Sequence, residues 1–329
     1  MENTKTRILR KLREREGFVS GQELCEELGI SRTAVWKYIR QLEAEGYRLE
    51  AVPNRGYCLR QVPDILSESE IQSRLHTRWV GQKVVCLAEV DSTNIRARRL
   101  AEEGAPSGTL VAADRQTKGR GSRGRSWESP AGESIYMTLL LRPEFSPASA
   151  SMLTLVMGLS AVQGMEQVTG AALQIKWPND VVLNGKKVVG ILTEMSAQVD
   201  YIEHMVIGVG VHVNGKEFPQ ELQDKATSLA AQLGKDFCRA GLAAAILEAF
   251  ERYYEIFCRT EDLSGLKEEY QRVLANAGKQ VRVLDPASPY SGLALGIDER
   301  GQLLVRREDG TVERVYAGEV SVRGLYSYV

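Results

Sequence analysis

The residues best suited to chemistry lie in one stretch, Gln116 to Trp127, which reads Q-T-K-G-R-G-S-R-G-R-S-W. Its glycines let the backbone adopt positive φ angles and approach a ligand closely. Its cations supply fixed charge and forked donors that suit phosphate and carboxylate. These residues are Gly119, Gly121, Gly124, Lys118, Arg120, Arg123 and Arg125. The stretch is predicted to be a loop that closes over an anion and is poorly ordered when empty; a solvated surface loop is the alternative.

The glycine spacing in this loop also fits the dinucleotide-binding fingerprint G-x-G-x-x-G. That fingerprint needs a helix directly after the glycines, because the helix N-terminus holds the pyrophosphate. Residues 134–141 read instead as a buried strand, and residues 109–114 read as the strand before the loop. The loop is therefore predicted to join two strands, which excludes a dinucleotide fold.

Two further polar motifs stand where strands end. D-S-T-N at residues 91–94 comes between a strand and a helix, so it is either an ordinary helix cap or a set of donors for a polar ligand. K-W-P-N-D at residues 176–180 offers a cation, an amide and a carboxylate, which suit a nucleotide phosphate with its Mg²⁺. A plain β-turn is the alternative there. Lys187 opens an apolar strand and becomes functional only if it points into a cavity.

Other signals set limits on the chemistry. Two glycines on the apolar strand at residues 208–214 indicate that something packs closely against it. Gly210 to Lys216 fits most of a phosphate P-loop, but Glu217 stands where a hydroxyl residue is required. The three histidines lack zinc-ligand spacing and no G-x-S-x-G motif is present, so no metal-ligand set is predicted and hydrolase chemistry is not supported.

The first 60 residues predict a winged helix-turn-helix. Short helices are expected over residues 4–15, 21–28 and 31–42, with a glycine turn before the last of them and a hairpin after it. The third helix turns Val35, Ile39 and Leu42 inward. Its predicted DNA-binding residues are Ser31, Arg32, Thr33, Trp36, Lys37 and Arg40. A small helical interaction domain is the alternative.

Composition gives the broad class. The 329 residues carry a net charge of −1, but residues 1–60 hold 12 Lys+Arg against 9 Asp+Glu, a modest basic excess. Five widely spaced cysteines, an odd number without a C-x-x-C, indicate reduced thiols and a cytoplasmic protein. The charged start has no signal-peptide core, and no apolar run is expected to be long enough to span a membrane.

The predicted fold is α+β in three domains. Residues 1–62 form the winged helix-turn-helix, and a short linker follows. Residues 66–275 form a central domain in which helices pack on a mixed or largely antiparallel sheet, because strands dominate and several are hairpin-linked. Residues 276–329 contain short strands with close turns, which predict a small SH3-like barrel.

These motifs, in this order, resemble the bifunctional biotin–protein ligases that also repress the biotin operon. The resemblance rests on the loop pattern at 116–127, K-W-P-N-D at 176–180, D-S-T-N at 91–94, the lysine at 187 and the G-x-G strand at 208–210. It implies a class II synthetase-like ligase domain that uses biotin and MgATP to make biotinyl-5′-AMP. The biotinyl group then passes to a lysine of a biotin carrier domain of a carboxylase. Without a carrier, the adenylate-bound protein forms a homodimer on operator DNA.

The resemblance also implies roles for single residues. Biotin-contacting positions match Ser92, Thr93, Asn94, Gln116, Arg120, Gly121, Ser122 and Lys187. The nucleotide side matches Arg120, Arg123, Trp127, Lys176, Asn179 and His212, and the catalytic residues are Lys187, Arg120 and Lys176. Two positions depart from the family pattern, since Ser122 often corresponds to arginine and His212 to asparagine.

Elementary chemistry agrees with this reading. A carboxylate is a poor electrophile, and adenylation gives it a good leaving group. The step needs two anions held together and phosphate charge neutralised, which positioned cations and Mg²⁺ can do without a catalytic histidine. A lipoate-type ligase and a non-catalytic sensor repressor remain as alternatives at this stage.

Overall fold

The computed structural model describes residues 3–285, 288–316, 321–324 and 328–329. The first domain contains helices α1 (Thr4–Glu14), α2 (Gly21–Leu28) and α3 (Arg32–Ala44), then strands β1 (Arg48–Val52) and β2 (Gly56–Gln61). Ser20 and Ser31 cap α2 and α3 by accepting hydrogen bonds from the backbone amides of Glu23 and Ala34. Gly29 ends α2 with φ of 66°, a left-handed conformation that favours glycine. The predicted winged helix-turn-helix is confirmed.

A short helix that was not predicted, α4 (Glu68–Gln72), fastens this domain to the rest of the chain. The side chain of Glu70 is fully buried and accepts hydrogen bonds from Arg13, Arg74 and the Tyr47 hydroxyl. Arg10 donates to the backbone carbonyl of Gln72 at 2.6 Å. Both domains therefore contribute polar groups to one buried junction.

The central domain is built on a seven-stranded sheet with the order β3-β4-β5-β9-β8-β7-β6. Only β3 and β4 are parallel, and every other neighbouring pair is antiparallel, so the predicted mixed sheet is confirmed. Its elements are β3 (Val84–Val90), α5 (Thr93–Glu102), β4 (Leu110–Gln116), β5 (Ser134–Leu141), α6 (Leu153–Thr169), β6 (Gln174–Lys176), β7 (Asp180–Leu183), β8 (Lys186–Ala197) and β9 (Ile202–His212).

Helices cover both faces of the sheet. On one face α5 buries Ala97 and Leu100 against Val111, Leu140 and Val206. On the other face lies the main core, to which α6 contributes most of its side chains. That core extends into the C-terminal strands, so the central and last domains share one apolar interior.

The expectation that no apolar run reaches membrane-spanning length was wrong. Among the described residues one helical stretch, Pro147–Thr169, is long and apolar enough to cross a membrane, but 72% of its apolar 18-residue segment is buried inside the protein. The apolar composition fits this largely buried position, since a helix in a protein core needs no broad polar face.

After the sheet, the chain forms α7 (Leu229–Leu233), α8 (Arg239–Thr260) and α9 (Lys267–Arg272). The helix predicted over 262–275 is therefore much shorter than expected. The residues after α9 pair with strand β6 instead: Ile175 donates to the Val273 carbonyl at 2.7 Å and accepts from the Ala275 amide at 2.8 Å. Tertiary pairing overrides local helix preference here.

The C-terminal domain is a five-stranded antiparallel sheet with the order β13-β12-β11-β10-β14, as the barrel prediction requires. Its strands are β10 (Gln280–Leu284), β11 (Tyr290–Ile297), β12 (Leu303–Arg306), β13 (Val312–Val315) and β14 (Ser321–Gly324). The predicted strands 311–317 and 319–323 extend into residues 317–320, which lie outside the described residues.

Candidate active site

The D-S-T-N segment meets the start of the loop at residues 116–127, the Gly/Arg loop, at one end of the sheet. Thr93 donates from its backbone amide to Oε1 of Gln116 at 2.9 Å, and its hydroxyl lies 3.1 Å from the same oxygen. The Thr138 hydroxyl lies 2.7 Å from Oδ1 of Asn94 and 2.8 Å from the Thr93 hydroxyl. These contacts lock short polar side chains, which gives the pocket fixed donors and acceptors.

Asn94 lies directly on the backbone of strand β9. A Cβ atom at Gly208 would come within 2.2 Å of Oδ1 of Asn94, so only glycine leaves space for the amide. The Asn94 amide nitrogen donates to Glu194 at 2.8 Å and to the Leu192 carbonyl at 3.3 Å. The predicted close approach to the glycines of this strand is confirmed at this position.

The Trp127 indole lies flat over two paired strands. Gly190 of β8 and Gly210 of β9 are register partners, and a Cβ at either position would lie within 2.7 Å of the indole. The ring also stacks on His212, with ring centroids 4.7 Å apart and planes 9° apart. The absence of side chains at the two glycines therefore lets the end of the loop reach the sheet.

Two adjoining pockets open around this tryptophan. The smaller, about 40 Å³, is lined by Ser92, Thr93 and Asn94, by Gln116 and by the three glycines of the paired strands. The larger, about 520 Å³, lies beyond it and is lined among others by His212, Phe218, Lys225 and Tyr328. The residues that line both are Gly121, Ser122, Trp127 and Lys187. A ligand with two parts would thus have its junction beside a lysine.

A buried carboxylate holds two lysines near that junction. Nζ of Lys187 lies 2.5 Å from Oδ1 of Asp180, and Nζ of Lys176 lies 3.8 Å from Oδ2. Burial opposes ionisation of Asp180, but Lys187 and Lys176 outweigh it and hold the pKa of this carboxyl below its ordinary value. The cluster therefore carries two positive charges against one negative charge, a net cation suited to an anionic ligand.

His212 is held neutral at the wall of the larger pocket. Its ring is enclosed by Trp127 and by Phe218, whose ring centroid lies 5.2 Å away at nearly a right angle. Burial, together with the positive charge of Lys187, lowers the pKa of His212 to about 4. A neutral imidazole offers a flat face and one donor to a ligand, without adding charge.

The Gly/Arg loop has a hairpin-like path in this structure. The Gly121 amide donates to the Arg125 carbonyl at 2.7 Å, and the Trp127 amide donates to the Gly119 carbonyl at 2.9 Å. A single 3₁₀ turn, Ser122–Gly124, forms the tip between them. The predicted disorder of the empty loop stays a prediction.

Most of the residues expected to form the site line the pockets. The smaller pocket takes in Ser92, Thr93, Asn94, Gln116, Arg120, Gly121, Ser122, Trp127, Asn179 and Lys187, and the larger takes in His212. Lys176 lines neither pocket, but it lies beside the shared lysine through Asp180. The Arg123 side chain lies outside the described residues. Pocket-lining residues that the sequence reading missed include Tyr136, Gly190, Phe218 and Tyr328, none of which belongs to a recognisable motif.

The predicted DNA-binding side chains lie on one exposed face of α3. All six of them are exposed, and Trp36 is 54% accessible. Arg32 donates to Gln22 at 3.0 Å, and Arg40 pairs with Glu43 at 3.0 Å. Lys37 forms no side-chain hydrogen bond or ion pair with the residues that the structure describes, so its charge is the least constrained of the three. The face joins basic and aromatic groups, as nucleic-acid contacts require.

Comparison with known proteins agrees with this geometry. Residues 87–212 match the biotin/lipoate A/B protein ligase family, residues 4–58 match an HTH domain, and residues 277–323 match the biotin protein ligase C terminal domain. The two-part pocket and these matches define a protein ligase of the biotin/lipoate class.

Full-length relatives narrow this class. The chain is 41% identical over 307 residues to the bifunctional ligase/repressor BirA of Bacillus subtilis, covering 93% of this chain and 94% of that protein. It is 30% identical to the protein of the same name from Escherichia coli, with 93% of each covered. The chain belongs to the family of bifunctional biotin–protein ligases and repressors.

Solved structures support the same assignment. The biotin protein ligase of Aquifex aeolicus in complex with biotin and ATP superposes with a TM-score of 0.66 and 34% identity. The match covers 74% of this chain and 99% of that one, so the part without a counterpart amounts to about a quarter of this chain.

Proposed function

We propose that this protein is an ATP-dependent biotin–protein ligase that also represses biotin genes as a DNA-binding protein. The observation that best supports the ligase function is the pair of adjoining pockets that share Lys187. Biotin would occupy the smaller pocket and the adenosine triphosphate the larger one. The carboxylate of biotin and the α-phosphate of ATP would then meet beside Lys187, where two anions need a cation.

The reaction has two steps. An oxygen of the biotin carboxylate attacks the α-phosphorus of ATP, the bond to the β-phosphate oxygen breaks, and pyrophosphate leaves with biotinyl-5′-AMP formed. The ε-amine of a lysine on the carrier domain then attacks the activated carbonyl, an amide forms, and AMP leaves with the bonding electrons. The proton lost from the amine passes to solvent or to AMP.

The chain contributes position and charge. Hydrogen bonds within the protein hold Thr93, Asn94 and Gln116 in place. These side chains would contact the part of biotin that lies away from its carboxylate. Lys187, Lys176 and Arg120 would neutralise charge on carboxylate and phosphates as it develops. Trp127 and His212 would supply flat surfaces for the purine. The Gly/Arg loop would exclude water from the adenylate, which hydrolyses readily.

The residues at the pocket junction fit Mg²⁺ that arrives with ATP. No group of three or more His, Cys, Asp or Glu side chains that could hold a metal ion exists among residues 3–285, 288–316, 321–324 and 328–329. Mg²⁺ in nucleotide sites commonly takes one or two protein oxygens together with phosphates and water. The side-chain oxygen of Asn179, which lines the smaller pocket, would provide one such oxygen, and the ion would neutralise phosphate charge.

Repression would use the exposed face of α3. We place the DNA-binding domain at residues 1–62, the ligase domain at 66–275 and the terminal barrel at 276–329. Biotinyl-5′-AMP would act as corepressor, and the adenylate-bound protein would bind its operator as a homodimer in the cytoplasm. Ligand binding shifts such an equilibrium only if it favours one state, which an ordered loop beside the dimer surface would do.

The first experiment combines the protein with ATP, Mg²⁺, labelled biotin and a biotin carrier domain, and measures label on the carrier. Label that disappears when the carrier's target lysine is replaced establishes the ligase. Lys187→Ala is expected to abolish transfer, because it removes the cation at the pocket junction. Lys186→Ala is the matched control, since its ammonium group points away to the Gln223 carbonyl at 2.7 Å.

Other outcomes separate the alternatives. Transfer of lipoate in place of biotin would indicate a lipoate-type ligase, against which the full-length relatives and the DNA-binding domain argue. Tight biotin binding without adenylate formation would indicate a sensor repressor. Operator binding that increases with biotin and ATP, measured by gel shift, tests the second function; its absence would leave a ligase with an inactive DNA-binding domain.

A further inference from the structure

A tyrosine near the end of the chain reaches the lysine–aspartate cluster. The Tyr328 hydroxyl donates to Oδ2 of Asp180 at 2.5 Å, although 148 positions separate the two residues. The ring of Tyr328 faces Lys176, with Nζ 3.6 Å from the ring centroid. Tyr328 also lines the larger pocket. One side chain therefore touches two members of the cluster and borders the space assigned to ATP.

The Tyr328 hydroxyl helps to set the orientation of the Asp180 carboxylate between the two lysines. Oδ1 lies against Lys187 and Oδ2 lies nearer Lys176, so each lysine has its own oxygen. A donor on Oδ2 favours this plane of the carboxylate, because turning the group out of the plane would lengthen and bend the hydrogen bond. Since the Asp180 side chain is only 10% exposed, water is poorly placed to substitute for this donor.

The ring acts differently on Lys176. An aromatic face attracts an ammonium group without cancelling its charge, whereas a second carboxylate would neutralise it. Tyr328 thus gives Lys176 a neutral surface on one side. The Lys176 side chain is only 7% exposed, and such a contact offsets part of the hydration that a buried ammonium group loses.

The segment that carries Tyr328 is anchored next to the site. Val329 is 8% exposed and packs with Val182 of β7 and with Ala275, whose amide donates to the Ile175 carbonyl of β6. The anchor keeps the tyrosine ring at the mouth of the larger pocket.

We propose that Tyr328 is a positioning residue for adenylation, which holds Asp180 and Lys176 in place so that the lysines paired with Asp180 can meet the phosphates of ATP. The inference rests on the proposed function and adds to it a residue outside the sequence motifs. Tyr328 transfers no proton or group; it acts through the two charged side chains that it holds.

The test compares Tyr328→Phe, which keeps the ring and loses the hydroxyl, with Tyr328→Leu, which loses both. Tyr316→Phe is the matched control, because Tyr316 belongs to the same domain and is 51% exposed. Pyrophosphate release measures adenylation, titration calorimetry measures biotin binding, and thermal unfolding measures the fold. We expect KM for ATP to rise about tenfold in Tyr328→Phe, the effect of a hydrogen bond to a charged group, and further in Tyr328→Leu. Biotin affinity, unfolding temperature and the control are expected to stay at wild-type values.

Two outcomes would overturn the inference. The first is Tyr328→Phe and Tyr328→Leu with the KM for ATP of the wild type. The second is a parallel loss of ATP affinity, biotin affinity and unfolding temperature, which indicates a merely structural role. Failure of the proposed function looks different, since the wild-type protein itself would then release no pyrophosphate when given biotin and ATP.

Discussion

The smallest features of the site are the missing side chains on strands β8 and β9. Gly190, Gly208 and Gly210 make space for two functional side chains, the Trp127 indole and the Asn94 amide. A functional side chain can reach a sheet closely only where the strand has no Cβ in the way. These glycines therefore shape the site as directly as the polar residues do.

Replacing Gly208 by alanine adds one Cβ atom and tests whether the glycine is needed to leave space for Asn94. We expect Gly208→Ala to displace Asn94 and to weaken biotin binding about tenfold, since overpacking a tight contact costs roughly 1–3 kcal/mol. Titration calorimetry with biotin measures the effect. Gly158→Ala is the control, because its Cβ would meet neighbouring side chains at 3.7 Å or more. Biotin affinity unchanged by Gly208→Ala would contradict the role given to Asn94.

His212 predicts a pH dependence of stability. Its pKa is about 4 in the folded protein and near 6.5 when unfolded, so the unfolded state binds more protons between these values. Stability should therefore fall as pH drops from about 6.5 to about 4, by at most about 3 kcal/mol from this residue. Urea unfolding at several pH values measures it.

The His212→Asn protein should lose that part of the pH dependence, whereas His76→Asn, at an exposed position, should keep it. Equal slopes in the wild type and His212→Asn between pH 4 and 6.5 would show that the imidazole is not held neutral by the fold.

At the scale of elements, the Gly/Arg loop and helix α3 carry the two functions. The loop runs from Gln116 at the end of β4 to Trp127 against β8 and β9, so both of its ends are fixed while its tip is exposed. A ligand under the tip would therefore find both attachment points already in place.

Limited proteolysis tests the closing of this loop. Trypsin should cleave at the loop cations in the ligand-free protein and about tenfold more slowly with biotin and ATP together, because local opening is required for cleavage. Mass spectrometry locates the cuts, and ATP alone is the control. Unchanged nicking in the loop at saturating biotin and ATP would count against closure.

Helix α3 should contribute to binding through a phosphate contact. Lys37→Ala is expected to weaken operator binding and to reduce the slope of log affinity against log salt by about one. Fluorescence anisotropy at several salt concentrations measures both. Lys11→Ala removes the same charge from helix α1, where Lys11 pairs with Glu27 at 2.7 Å, and should leave the slope as it is. A wild-type slope in Lys37→Ala would remove this lysine from the interface.

At the scale of the whole molecule, two polar junctions tie the domains together. Glu70 binds Arg13 and Tyr47 of the first domain, and burial together with this carboxylate raises the pKa of the Tyr47 hydroxyl. In the second junction Arg239 pairs with Asp64 before the ligase domain at 2.9 Å and with Asp114 of β4 at 2.6 Å. Strand β4 continues directly into the Gly/Arg loop. Arg239 therefore connects Asp64 of the linker with the strand that precedes this loop.

The Glu70 junction is expected to determine stability. Glu70→Gln leaves two arginines without their carboxylate in a buried position, which should lower the free energy of unfolding by about 3 kcal/mol. Urea denaturation followed by circular dichroism measures it. Glu68→Gln, on the exposed side of the same short helix, is the control and should cost less than about 0.5 kcal/mol. A cost for Glu70→Gln no larger than for Glu68→Gln would mean that water replaces the ion pairs.

The local features of this protein could be predicted from its sequence alone. The helix caps at Ser20 and Ser31, the glycine turn and the alternation of strands depend on neighbours within a few residues, which are visible in the chain. The loop at 116–127 and K-W-P-N-D could also be identified from the sequence, because the charged residues and turn residues of each lie within one short segment.

Contacts between residues that are far apart in the sequence became known only from the tertiary structure. Tyr328 reaches Asp180 across 148 positions, and Phe218 reaches His212 from a segment without a motif. The end of the predicted helix 262–275 pairs with β6 because a strand edge there offers hydrogen bonds that a further helical turn cannot. Such contacts depend on how the sheet brings its edges and connections together, and single-sequence patterns carry little information about that arrangement.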